Sequence, residues 1–349
     1  MRKILVVAPS WVGDTVLAQP LFMRLQAAVP GTEIDVLAPP WTAALLQRMP
    51  EVREVIENPF RHGELKVFAR RRLGRALRAR SYDAAIVLPN SLKSALPPFF
   101  ASIPVRTGFR GEMRGGVLND VRTLDEKRMP MLAERFAALA QAPGTPLARP
   151  LPRPHLRIDQ ANRARLLERL ALDTTRPVVA FCPGAEYGAA KRWPAEHYAA
   201  LADRLIAAGA SVWLIGSPND APIGTSIAER VARGSVANLC GRTSLGDAVD
   251  LLSAAGLVIS NDSGLMHVAA GLDRPLIALY GSSSPAYTPP LAPEARVLSL
   301  ALDCSPCFER ECPLGHLRCL WDLTPERVWT EIRELAGRNL PLNLAGTGC

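Results

Sequence analysis

The chain of 349 residues has no long hydrophobic run. Its longest apolar stretches, Ile4–Ala8 and Val178–Cys182, span about five residues, against the ~20 that a membrane-spanning helix needs. The first of them is also too short for a secretion signal, and Pro9 and Asp14 follow soon after it. Cysteine is scarce, with 7 residues, too few for a disulfide framework, which fits a reducing compartment. The GxxxxGK[ST] phosphate loop is missing, as is a GxGxxG fingerprint after the first apolar run. These absences argue against a secreted, membrane-spanning or disulfide-stapled protein and point to the cytoplasm.

What is present reads as a soluble globular chain: 48% of residues are apolar and 21% charged. The length suggests two domains. The net charge of +8 is concentrated, because residues 61–80 hold eight arginines and lysines and one acid, Glu64. Such a block favours an anionic partner such as phosphate, nucleic acid or an acidic membrane face; the plainer reading is a solvated helix face.

The order of elements is that of an α/β protein. Ile4–Val7 is a continuous apolar run of the kind that suits a parallel strand buried on both faces. A helix is expected from Asp14 to Val29, kinked or divided at Pro20. Strands follow at Ile34–Ala38 and Ala84–Leu88, with a helix over 65–80. The segment APGTPLARPLPRPHLR, residues 142–157, carries five prolines and reads as a connection between domains. Strands then recur at Pro177–Cys182, Ser211–Ile215, Leu257–Ser260 and Pro275–Tyr280. Helices are expected from Pro194, over 221–233 and 245–254, at Gly264–Gly271, and from Thr324 as N-cap to Gly337. The expected division is 1–155, 156–323, and a final helix and tail over 324–349 that returns to the first domain. Two doubly wound, Rossmann-like domains follow, and open parallel sheets bind ligands beyond the carboxyl ends of their strands.

Four places can carry chemistry. Gly13-Asp14 follows the first strand; Asp14 reads either as a helix cap or as a general base beside a turn that Gly13 keeps tight. PGAEYGAAKRWP, residues 183–194, follows a strand; either its backbone N–H groups with Lys191 suit a phosphate, or Lys191 is a surface lysine near Trp193. In SNDSGLMHVAAG, residues 260–271, a strand gives way to a helix at Asp262-Ser263-Gly264, where the Ser263 N–H and hydroxyl and the Gly264 N–H suit a second phosphate. Asp262 reads either as the cap of that helix or as a hydrogen-bond partner of a ligand hydroxyl, and His267 is either a ligand contact or a core residue. Asp220 is a candidate contact for a ribose. Cys304, Cys307, Cys312 and Cys319 follow C-x2-C-x4-C-x6-C, with His316 among them: either one tetrahedral zinc or a reduced structural loop. No aromatic interleaving supports a nucleic-acid ribbon there, and no nucleic acid is expected as a partner.

The set in this order, SWVGDTVLAQPLFMRL at 10–25, PGAEYGAAKRWP at 183–194 and SNDSGLMHVAAGLDRPLIALYGSSSP at 260–285, resembles the ADP-heptose:lipopolysaccharide heptosyltransferases of glycosyltransferase family 9. The resemblance runs from Lys3 to about Leu335, and DCSPCFERECPLGHLRCLWDLTPERV at 303–328 looks most like the branch that adds the second heptose of the Gram-negative inner core. The resemblance implies a GT-B fold, with two Rossmann-like domains facing a central cleft, and inverting transfer of L-glycero-D-manno-heptose from ADP-heptose. It implies a lipid A–Kdo inner-core acceptor bound by the N-terminal domain at the inner membrane, to which the enzyme is peripherally associated. Asp14 resembles the family's catalytic base. Lys191, with a catalytic role, and Asp262, Ser263, Gly264 and His267 resemble its donor-binding residues, and Gly184, Glu186 and Tyr187 lie in the loop before the lysine. Gly13, Arg61, Lys66, Arg70, Arg71 and Arg72 are candidates for the anionic acceptor. No obligatory metal is expected, because no DxD motif stands in the donor loops; Mg²⁺ can stimulate. Heptosyltransferase I, another ADP- or UDP-sugar GT-B enzyme, and more remotely a non-enzymatic zinc or nucleic-acid binder are the alternatives.

Overall fold

The short apolar runs become strands buried on both faces. In the computed structural model, which describes residues 2–61 and 63–339, the chain divides into Met1–His155 and Leu156–Cys349. The first unit holds β1 (Lys3–Val7), α1 (Val12–Leu17), α2 (Gln19–Ala28), β2 (Glu33–Ala38), α3 (Pro40–Leu46), β3 (Val52–Glu57), α4 (Val67–Leu77), β4 (Ala84–Val87), α5 (Leu92–Phe100), β5 (Val105–Phe109), β6 (Asp120–Arg122) and α6 (Leu132–Ala138). Its six strands lie in the order β3-β2-β1-β4-β5-β6, all parallel.

The second unit begins with α7 (Gln160–Arg169) and continues with β7 (Val178–Cys182), α8 (Ala195–Ala207), β8 (Ser211–Leu214), α9 (Ala221–Arg230), β9 (Ala237–Asn238), α10 (Leu245–Leu252), β10 (Leu257–Asn261), α11 (Gly264–Gly271), β11 (Leu276–Leu279), β12 (Ala295–Leu298), α12 (Arg318–Trp321) and α13 (Pro325–Asn339). Its sheet runs β12-β11-β10-β7-β8-β9, again parallel throughout. Counted within its own unit, each sheet has the doubly wound order 3-2-1-4-5-6. Strand order reverses between β1 and β4 in the first unit and between β7 and β10 in the second. The crevice at such a reversal, beyond the strands' carboxyl ends, is where open α/β sheets take ligands.

The helix expected over 14–29 is divided in two, as a proline within it predicts, but the break falls at Ala18, and Pro20 stands in the first turn of α2, where its missing N–H has no partner to lose. The last helix keeps Thr324 before Pro325, and Arg327 N–H donates to Thr324 Oγ1 at 3.4 Å, but it continues through Gly337 to Asn339. On its apolar face Val328, Trp329, Ile332 and Leu335 join Trp193, Tyr198 and Leu205 in the core of the second unit. Residues 340–349 of the expected tail lie outside the described residues. Among the described residues no helix is long and apolar enough to cross a membrane.

Candidate active site

Loop 183–193 follows β7 at the reversal of the second sheet, and both its ends are tied to Asn261, the last residue of β10. Asn261 is fully buried. Its Nδ2 donates to Pro183 O at 2.6 Å, and its Oδ1 accepts from Trp193 N–H and from the Tyr198 hydroxyl, each at 3.1 Å. Trp193 Nε1 is satisfied by Leu323 O at 2.7 Å. The loop between these anchors ends in a short 3-10 turn, Ala189–Lys191, which aims Lys191 at the mouth of β10.

There Lys191 Nζ lies 2.6 Å from Asp262 Oδ2. Asp262 is therefore not the cap of α11; the residue in the cap position is Ser263, whose side chain makes no capping bond. Ser263 Oγ lies 3.3 Å from Ser260 Oγ. The first N–H groups of α11, from Gly264 onward, have no carbonyl of their own helix to serve. His267, one turn along, is buried with Nδ1 unpartnered. Burial pushes its imidazole down to about 4, with the Asp262 charge opposing and the Lys191 charge assisting. It is neutral at pH 7. The four residues thus share one place: an ammonium with N–H groups left over, a carboxylate holding it, a helix start and a neutral imidazole. An anionic, polyhydroxylated ligand fits that set.

Tyr187 closes one side. Its ring faces the Lys191 ammonium and the Arg310 guanidinium, 5.1 and 5.2 Å from the ring centre, and its hydroxyl donates to Phe308 O at 2.6 Å. Ala190 N–H donates to Arg310 O at 3.0 Å, and a Cβ on Gly188 would stand 2.3 Å from that oxygen. Segment 303–318 therefore packs onto loop 183–193, and Arg310 stands in the candidate site although its sequence position among the cysteines gave no sign of it. Glu186 is exposed and accepts from Asn219 Nδ2 at 3.1 Å. Asp220 Oδ2 accepts from Ser217 N–H at 2.8 Å and from its hydroxyl at 2.7 Å. Its buried Oδ1 has no partner, and a Cβ on Gly184 would meet this carboxylate at 2.3 Å. Half of the Asp220 carboxylate thus serves its own turn.

The cysteines divide. Cys304 is exposed, Cys307 and Cys312 half-buried, Cys319 buried. Cys312 Sγ accepts from Leu317 N–H at 3.4 Å, and this bond with those from Leu314, Gly315 and His316 pulls its thiol down. Cys319 is pushed up, first by burial and then by the neighbouring thiols. Among the described residues no group of three or more His, Cys, Asp or Glu is placed to hold a metal ion.

In the first unit Asp14 lies in the first turn of α1 and is half-buried. Trp11 holds the N-cap position, so the reading of Asp14 as the cap is corrected. Gly13 precedes it in the same turn. Trp41 stands half exposed beside this loop, its Nε1 donating to Ser10 O at 2.8 Å. The arginine block divides. Arg70 is 3% exposed; its guanidinium donates to the carbonyls of Leu65, Glu64 and Lys93 and lies 4.0 Å over the Phe60 ring. It is internal, and its place among the acceptor candidates is withdrawn. Lys66 pairs with Glu64 at 2.8 Å, and Arg80 with Glu54 at 2.8 Å. Arg61, Arg71 and Arg72 are exposed.

Residues 70–318 match glycosyltransferase family 9 (heptosyltransferase). The chain is 48% identical over 341 residues to lipopolysaccharide heptosyltransferase 2 of Escherichia coli K12, covering 95% of this chain and 98% of that one. Its fold is similar to the solved E. coli ADP-heptose heptosyltransferase II, with TM-score 0.86, 47% identity, and coverage of 95% and 98%. E. coli heptosyltransferase WaaC with ADP-2-deoxy-2-fluoro heptose aligns with TM-score 0.68 at 25% identity, covering 95% and 99%.

Proposed function

The chain belongs to glycosyltransferase family 9, is a lipopolysaccharide heptosyltransferase with two Rossmann-like units of the GT-B class, and we propose that it moves L-glycero-D-manno-heptose from ADP-heptose to the first heptose of the inner core. The meeting of Lys191, Asp262 and His267 at the strand reversal of the second unit is the observation that carries this reading. We assign the donor to that unit and the acceptor to the first.

In the transfer, an acceptor heptose hydroxyl attacks the anomeric carbon from the face opposite ADP. The new C–O bond forms as the bond to the pyrophosphate oxygen breaks, and the hydroxyl proton passes to Asp14. A carboxylate is too weak a base to ionise a free alcohol beforehand; Asp14 takes the proton late, once the forming bond has made the hydroxyl acidic. Positioned bases of this kind supply ~10²–10⁴-fold. The electron pair leaves with ADP. Lys191 meets that charge with the N–H groups Asp262 does not use, and the N–H groups at Ser263 and Gly264 add to it. This stabilisation acts where charge appears in the transition state. Asp262 orients the ammonium. His267, neutral, can donate or accept a hydrogen bond to the donor. The leaving charge is met by the chain's own groups, so no step is routed through a metal, and Mg²⁺ is left a stimulatory role.

The acceptor is an anionic lipid A–Kdo inner core, which places the working enzyme on the cytoplasmic face of the inner membrane as a peripheral protein. Incubation with ADP-heptose and a mono-heptosylated acceptor tests the reading by product mass. One added heptose supports it. Addition to the heptose-free acceptor alone, or no addition at all, overturns it.

A further inference from the structure

The outer face of α4 has no structural duty in the first unit. Arg70, Gly74 and Leu77 form its buried side. At Gly74 the helix crosses α5 so closely that a Cβ would stand 2.6 Å from Phe100 Cβ and from Pro97 O, and Arg78 Nε donates to Phe100 O at 3.0 Å. The helix is thus mounted rigidly through one side. The opposite side carries Phe68, Arg71, Arg72 and Arg75, the i, i+3, i+4, i+7 spacing of a single face.

That face is unusual in two ways. Phe68 is 86% exposed, and Leu65 and Val67 just before it are 51% and 39% exposed. No hydrogen bond or ion pair reaches the guanidinium groups of Arg71, Arg72 or Arg75 among the described residues, and residues 65–80 contain no acid. A shallow groove of about 300 Å³ runs beside them, lined by Val67, Phe68, Arg71, Arg75, Arg78 and Phe100. An exposed aromatic projecting among unpaired arginines, with no carboxylate to repel an anion, is complementary to a surface apolar in depth and negative at its face.

We propose that α4 is the seat by which this protein docks on an anionic phospholipid bilayer, Phe68 entering the acyl boundary while Arg71, Arg72 and Arg75 meet lipid phosphates. Basic helices with one apolar wedge lie in the interface in this way. Arginine stems bury along apolar surface while their heads stay at phosphate level. The exposed apolar surface of Leu65, Val67 and Phe68 beside the arginines favours a lipid boundary over nucleic acid. The inference rests on the reading that the acceptor is a membrane lipid, but it concerns bulk phospholipid rather than the acceptor itself.

The test is co-sedimentation of the full chain with vesicles of phosphatidylcholine containing phosphatidylglycerol, against pure phosphatidylcholine, at low and high salt. Binding to the mixed vesicles alone, weakened by salt, is expected. Phe68→Ser should weaken it about tenfold, the cost of withdrawing one partly inserted aromatic side chain, while keeping the salt dependence. Arg71→Gln with Arg75→Gln should weaken it roughly fivefold per arginine and flatten the salt dependence. Turnover of Phe68→Ser on a deacylated, water-soluble acceptor should equal that of the unsubstituted chain. No binding to mixed vesicles, equal binding to neutral ones, Phe68→Ser binding unimpaired, or capture of RNA in place of vesicles overturns the seat. Failure of transfer to the soluble acceptor, with vesicle binding intact, instead strikes the proposed activity and leaves the seat standing.

Discussion

Arg70 serves the carbonyl that Pro97 abandons. Inside α5, Lys93 O should accept from the N–H four residues on, but that residue is Pro97 and has none. Arg70 Nη1 donates to it instead, at 3.1 Å. One arginine of a strongly basic block is thus a structural strut, while Arg71 beside it is free in solvent. Arg70→Ala should cost about 3 kcal/mol by leaving buried carbonyls unserved, and Arg71→Ala should change stability by less than about 0.5 kcal/mol. Denaturant melts of the two variants decide this; equal midpoints would refute the division of the block.

Asp14→Asn keeps the shape of the first turn of α1 and removes the proton acceptor. Transfer should fall ~10²–10⁴-fold, with ADP affinity by calorimetry unchanged. Normal turnover would take Asp14 out of the chemistry.

Lys191→Ala has two consequences, because it strips the partner from Asp262, whose side chain is 5% exposed. Stability should drop by about 3 kcal/mol as a buried carboxylate is left unpaired, and ADP binding should weaken together with turnover. The double change Lys191→Met, Asp262→Asn should restore most of the stability and none of the ADP binding. Recovery of binding in the double variant would show that Lys191 never touched the nucleotide.

His267 makes stability depend on pH. In the unfolded chain it takes a proton near 6.5, whereas in the folded chain it stays neutral down to about 4. Between these values the unfolded state holds more protons, so the stability His267 contributes is whole above 6.5 and is lost as pH falls. The loss should reach about 2 kcal/mol between pH 7 and pH 5. His267→Gln should show a flatter profile over that interval by the same amount; parallel profiles would mean that the imidazole titrates normally.

Gly188→Ala tests the packing of segment 303–318 on loop 183–193. The added Cβ meets the Arg310 carbonyl at 2.3 Å, backbone against backbone, so one segment must move away. Lys191 and Tyr187 move with it, and ADP affinity should fall about tenfold. An unchanged dissociation constant would show that this packing has no part in donor binding.

The strands were legible where they are fully buried. Ile4–Val7, Val178–Cys182 and Leu257–Ser260 read as apolar runs because both faces of a parallel sheet are covered. β3, β6 and β12 were not legible. They lie at or near sheet edges, where Val52-Arg53-Glu54 or Ala295-Arg296-Val297 mix polar and apolar residues. α5 was hidden by Pro97 and Pro98, tolerated only because they fall in its last turn and Arg70 compensates.

By itself the sequence determined the α/β class, because burial on two faces leaves its mark in consecutive residues, and its proline-rich stretch ends at the change of unit after His155. Only the tertiary structure decided pairings across long separations. It closed Lys191 on Asp262 across 71 residues, brought Arg310 over Tyr187, sent the final helix into the second core, and drew Arg70 inside while leaving Arg71 out. The physical reason is that a charged side chain's role is set by which polar groups reach it once water is excluded. Packing between distant elements decides that, and one-dimensional spacing does not record it.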